Sequence, residues 1–128
     1  MDDITMRNIE QIEPYAGPHA IPGLRFRPAR EALGVSSWGM SVIEIDARCE
    51  NYPAHRHASD GHEEVYFVVR GAVVLVAEDK EHALREGDFV HVPPNVARKF
   101  VTRDHEAVIL AMGGTPKQPY KPSMGDPL

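Results

Sequence analysis

Six of the ten residues from His55 to Glu64 carry side chains able to bind a metal ion: His55, His57, Asp60, His62, Glu63 and Glu64. Residues two apart on an extended strand point to the same side, so His55 and His57 can aim two imidazoles at one point. A turn through residues 58–61 then brings the chain back, and Glu64, Tyr66 and Val68 share one face of the returning strand. Two imidazoles and a carboxylate form the facial triad that suits a divalent first-row metal (Fe, Mn, Ni or Zn) and leaves positions open for substrate or oxygen. The same residues could instead make a solvated acidic turn, and the chain around them bears on which it is.

The elements that must hold these side chains read as strands. Proline and glycine, 11 and 10 in number, are scattered between short apolar runs rather than gathered in one linker. Residues 37–46, 65–69, 72–77, 89–92, 99–101 and 107–112 concentrate β-branched and aromatic side chains and are the candidate strands. Gly71 is expected to separate the second from the third, Glu78-Asp79-Lys80 to form a hairpin tip, and Glu86-Gly87-Asp88 to turn into the next strand. Helix is confined to a turn or two in residues 30–33 and the first dozen residues, because Pro14, Pro18, Pro22 and Pro28 interrupt anything longer. The fold class is all-β, a sandwich or barrel.

The chain has 128 residues, enough for one domain and too few for two with adequate cores. Residues 1–34 read as a lead-in, where Leu24 and Phe26 alternate with Arg25 and Arg27 in a half-buried strand pattern. Residues 35–112 are the barrel. Residues 113–128 carry Pro116, Pro119, Pro122 and Pro127 and read as an extended arm unable to join a central sheet. A net charge of −5 argues against nucleic acid as a partner. The apolar run Ala72 to Ala77, six residues long and not exceeded elsewhere, is far short of a membrane span, and the acidic start lacks the features of a signal peptide, so a cytoplasmic protein is expected. Cys49 is the only cysteine and reads as an idle thiol. There is no Gly-x-Ser-x-Gly elbow, phosphate-binding loop or dinucleotide fingerprint.

Two blocks of the chain resemble the cupin superfamily. His55-Arg56-His57 fits the paired histidines of the first cupin motif, and six residues separate Glu64 from Gly71, as that motif asks. In the second block five residues separate Gly87 from Pro93, again as in the family. The resemblance implies a small double-stranded β-helix or jelly-roll barrel, a metal held inside it by His, His, Glu and a second-motif His, and a homodimer acting on or binding a small molecule.

The chain departs from the family pattern in ways that bear on function. The leading glycine of the first motif is absent, and six residues rather than three or four separate His57 from Glu64. Asn95 stands where the glycine of Pro-x-Gly is expected, though Asn tolerates the left-handed conformation. Arg98 occupies the place of the last histidine ligand, and Thr102 that of the final Asn. Arginine stays protonated and cannot ligate a cation. Either the metal is held by His55, His57 and Glu64 with His62, His91 or water in the fourth place, or the site is metal-free and Arg98 pairs with Glu64. An inward Arg98, with Tyr66, would also suit an anionic substrate. Metal-dependent oxygenation, decarboxylation or isomerisation stands on one side, and non-catalytic binding or sensing on the other.

Overall fold

The Val- and Ile-rich runs favour extended backbone, and in the computed structural model, which describes residues 3–128, they form strands. In chain order the elements are β1 (Leu24–Arg27), α1 (Ala29–Leu33), β2 (Gly39–Ile45), β3 (His55–Arg56), β4 (Glu63–Ala77), β5 (Lys80–Arg85), β6 (Phe89–Val92), β7 (Arg98–Val101), β8 (Ala107–Gly114) and β9 (Asp126–Pro127). A 3-10 turn at Ile9–Gln11 and the five-residue α1 are the helical pieces among the described residues. No helix among them is long and apolar enough to cross a membrane.

The strands run antiparallel in the order β1-β2-β8-β4-β7-β3-β9, with β5 and β6 also paired to β4. The leading half of β4 pairs with β8 and β6, and residues 72–77 pair with β5 and β7. Sharing one long strand between two sets of neighbours curls the sheet into two facing layers, a double-stranded β-helix of jelly-roll type. Between the layers lie Tyr66, Phe100, Ile45, Ile109 and Val68, all essentially inaccessible to solvent. Burial of a large apolar side chain of this kind contributes about 1.5–3 kcal/mol.

Two expectations about the elements are corrected. Gly71 does not separate one strand from the next; β4 runs through it, with a bulge between Val68 and Arg70. Gly71 has φ +85°, and a Cβ there would collide with the carbonyl oxygen of Glu106, so only glycine fits. Lys80 belongs to a strand, not to the hairpin tip: Ala77 pairs with Lys80, leaving the two-residue loop Glu78-Asp79 with φ 52° and 63°. Positive φ at both positions is what a type I′ hairpin requires. The proline-rich arm meets the sheet only at its edge, where Asp126–Pro127 pairs with β3. Proline is tolerated there because β9 is an edge strand.

Inward and outward positions set up the site. Ahead of the bulge, Glu64, Tyr66 and Val68 turn toward the interior; beyond it, Val73 and Leu75 do. In β3, His55 is the cross-strand partner of Arg98 in β7, so the two share a face.

Candidate metal centre

His57 follows His55 by two residues and lies on the same side, with its ring buried. Its Nε2 is 3.2 Å from Glu64 Oε1, and that of His55 is 3.6 Å from the same oxygen. One ligand atom from each of His55, His57 and Glu64 lies within 4.8 Å of the others. The two rings meet edge to face at 5.0 Å. Each Nδ1 points at an acceptor: that of His55 at the carbonyl oxygen of Pro53, 3.1 Å away, and that of His57 at both oxygens of Asp60, at 3.0 and 3.1 Å. Each Nδ1 therefore carries the hydrogen, and each Nε2 is turned toward Glu64 either as a lone pair or, in the imidazolium, as a second donor.

The arginine at the second-motif histidine position is wholly buried. Arg98 Nη2 donates to Glu64 Oε1 at 3.0 Å, Nη1 to the Val96 carbonyl at 2.9 Å, and Nε to the Tyr66 hydroxyl at 3.3 Å. Tyr66 in turn donates to Glu64 Oε1 at 2.6 Å. Burial pushes the Glu64 carboxyl up, but hydrogen bonds from His55, His57 and Tyr66 outweigh it and hold the group well below the usual carboxylate range. The Tyr66 phenol moves the other way, raised well above its ordinary value by burial and by Tyr52 and Glu64. Three of the five N–H donors of Arg98 are thus spent on protein groups. Thr102, in the place of the family's Asn, is buried and bonds the backbone on both sides, accepting from Cys49 N and donating to Asp46 O.

The lengthened link between His57 and Glu64 supplies Asp60. Burial raises its carboxyl, but His57, Ser123 and the His62 amide pull it down to about 2. His57 is raised from its ordinary value: burial lowers it, and Glu64 and Asp60 more than compensate. Thr115 donates to the Asp60 carbonyl at 2.7 Å, tying the link to the start of the C-terminal arm. Further on, Gly125 crosses the histidines closely: a Cβ there would lie 2.9 Å from the His55 ring and 3.0 Å from the His57 ring.

The two remaining candidate histidines occupy different surroundings. His62 is buried and stacks between His57 and Tyr120, 5.3 Å from each ring. It groups with His57 and Asp60 rather than with His55 and Glu64. The structure does not bring His91 to the cluster: it is half-exposed on β6, with Nε2 3.5 Å from Glu63. Its cross-strand partner is Val65, which faces away from the interior, and His91 shares that outer face.

A cavity of about 420 Å³ has the histidine–glutamate cluster at one end. Leu24, Phe26, Met40, Ile43 and Met112 line its walls, and Tyr15, Arg30, Tyr120 and Met124 come from the lead-in, α1 and the arm. Sequence reading counted Asp60 among the metal-capable residues without a role of its own; its place three residues after His57 in a lengthened turn is the signal that marks it. It passed over Arg30 and Tyr120, which nothing local in the sequence connects to the cluster.

Two imidazoles with oriented tautomers and one ionised carboxylate are the donor set expected for a divalent first-row metal. A carboxylate offers about four acceptor sites, so the bonds from Arg98 and Tyr66 do not exhaust Glu64. The residues present fit such an ion.

Residues 42–113 match the Cupin domain family. Among solved structures, the chain is similar to a sugar phosphate isomerase of the cupin superfamily from Silicibacter pomeroyi, at 23% identity and TM-score 0.70, over 83% of this chain and 73% of that one. It is also similar to the polyketide cyclase RemF from Streptomyces resistomycificus, at 15% identity and TM-score 0.74, over 93% and 81%. A cupin protein from Bacteroides fragilis aligns at 14% identity and TM-score 0.67, over 100% and 98%. No curated protein matches the chain.

Proposed function

Because the chain belongs to the cupin domain family across residues 42–113, we propose that it binds one divalent metal ion through His55, His57 and Glu64 and takes a small organic molecule into the adjoining cavity. The observation that carries this reading is the convergence of those three side chains at the inner end of the cavity. A metal bound there would polarise an oxygen of the organic ligand or activate oxygen. The chemistry is of oxygenase, decarboxylase or isomerase type, and one fold neighbour bears an isomerase's name.

The chain's own residues have distinct tasks. Asp60 holds the Nδ1 hydrogen of His57 and so keeps Nε2 turned to the centre. Arg98 and Tyr66 orient Glu64 and keep it ionised. The apolar walls and the arm that crosses both histidines limit the access of water. The homodimer implied by the family resemblance would cover Phe89, which is 71% exposed beside Phe67 on the outer face of β4 and β6.

Elemental analysis of protein purified without chelator, followed by titration of the stripped protein with Mn(II) and Zn(II), tests the metal. About one tightly held equivalent is expected, lost in His57→Ala; less than about a tenth of an equivalent with no binding on titration overturns the reading. A second reading has its own support. Arg98 already places a positive charge on Glu64, the electrostatic service a cation would otherwise perform. In that case the protein is a metal-free binding or sensing cupin, and ligand affinity is indifferent to chelation.

A further inference from the structure

The far end of the cavity holds a cation whose hydrogen-bonding capacity the protein leaves incomplete. Among the described residues that line the cavity, Arg30 is the only arginine or lysine. Its Nε is buried and has no hydrogen-bond partner. Its Nη1 lies 3.6 Å from Glu31, beyond hydrogen-bond length, and that carboxylate is largely exposed. The guanidinium sits over the Tyr120 ring, 4.8 Å from the centroid, which restrains its plane. Arg98, by contrast, has Nε, Nη1 and Nη2 all bonded to protein. Nε is closed to solvent and so to a ligand; the terminal nitrogens, which make no hydrogen bond to the described residues, are the donors that a partner in the cavity would meet.

We infer that Arg30 receives the carboxylate of an organic acid whose apolar body lies along Leu24, Phe26, Met40 and Met112. A guanidinium is a planar fork that matches a planar carboxylate. The local charge argues for a monoanion: one arginine with Glu31 beside it and Glu64 deeper in the cavity does not favour a phosphate dianion. The apolar walls reward a hydrocarbon or aromatic body rather than a sugar. This inference deepens the proposed function and rests on its claim that the cavity takes a small organic molecule; it does not depend on the metal.

The test is calorimetry on the full chain, with and without Mn(II), using hexanoate, benzoate, phenylacetate and cinnamate, their neutral amides, and inorganic phosphate. At least one acid binds, its amide binds about tenfold to a hundredfold more weakly, and phosphate does not compete, because a charge-assisted bond is at stake. Arg30→Met loses the preference for acid over amide while metal stoichiometry stays at the wild-type value; Arg30→Lys restores it only incompletely, since an ammonium lacks the planar fork. Should Arg30→Met not fold, Arg30→Gln reads the same preference. Acids and amides binding equally, no member of the panel binding, phosphate displacing the acids, or variants with undiminished acid preference would each overturn the inference. Protein that takes up no metal yet still prefers acids upholds Arg30 and overturns the metal reading instead.

Discussion

The two ends of the cavity are made by different means. At the inner end His55, Glu64, Tyr66 and Arg98 stand on paired strands, and the polar groups converge on one carboxylate oxygen. At the outer end the walls come from the lead-in, α1 and the C-terminal arm, and a buried arginine nitrogen lacks a partner. The inner end is thus a rigid, internally satisfied electrostatic device, while the outer end keeps hydrogen-bonding capacity in reserve. On the proposed reading, chemistry belongs to the sheet, and choice of ligand to the terminal segments.

Four substitutions or conditions press on that contrast, the most damaging first. His57→Ala removes an imidazole and its link to Asp60, and in metal titration it should lose more affinity than the ~10- to 100-fold of an outer-shell change. Arg98→Met leaves Glu64 without its buried partner, and denaturant unfolding in the presence of chelator should show a loss of about 3–5 kcal/mol. The same variant should regain some of that stability when Mn(II) is added, because a cation then replaces the guanidinium charge. An undiminished stability would mean that the inner end is less tightly coupled than its distances indicate. Asp60→Asn should weaken metal binding about 10- to 100-fold and cost less unfolding stability than Arg98→Met, since it alters how His57 is held and leaves the core intact.

The mildest effect is on pH. Asp60 is pulled down from 3.8 to about 2 and Glu64 is also depressed, so their stabilisation is complete above the ordinary carboxylate values and fades as pH falls through the folded ones. His57 is raised above 6.5, so its contribution is complete below that value and fades as pH rises through the higher folded one. Metal-free protein should therefore be most stable between roughly pH 4 and 6.5. Asp60→Asn should flatten the acid limb of a thermal unfolding series; an unaltered limb would separate Asp60 from His57 energetically.

Much of the inner end was legible because strand periodicity acts over two residues and the spacings of His55, His57 and Glu64 can be read directly. The strands themselves were legible where valine and isoleucine accumulate. β5 was not, because Lys80–Arg85 is exposed and mostly polar, and its strand state comes from pairing with residues 72–77. Gly71 was ambiguous for a different reason: a positive φ serves a turn or a bulge equally, and only the partner strand distinguishes them. His62 and His91 look alike in sequence, each close to an acid in chain or in space, yet one is enclosed by the arm and the other lies on an outer face. The outer end was invisible, since Arg30 and Tyr120 are far apart in the chain and meet only through tertiary packing.

The irregularity between Val68 and Arg70 gives β4 something like two reading frames. Even-numbered side chains serve the upper frame with its acid, and odd-numbered ones serve the lower frame with its hydrocarbon. Losing a single residue at that joint would remove the bulge and leave one regular alternation with both sets still inward, whereas losing one elsewhere in β4 would throw one half out of phase and turn its inward side chains out. The tolerance of this strand to change is accordingly a matter of length before it is one of composition.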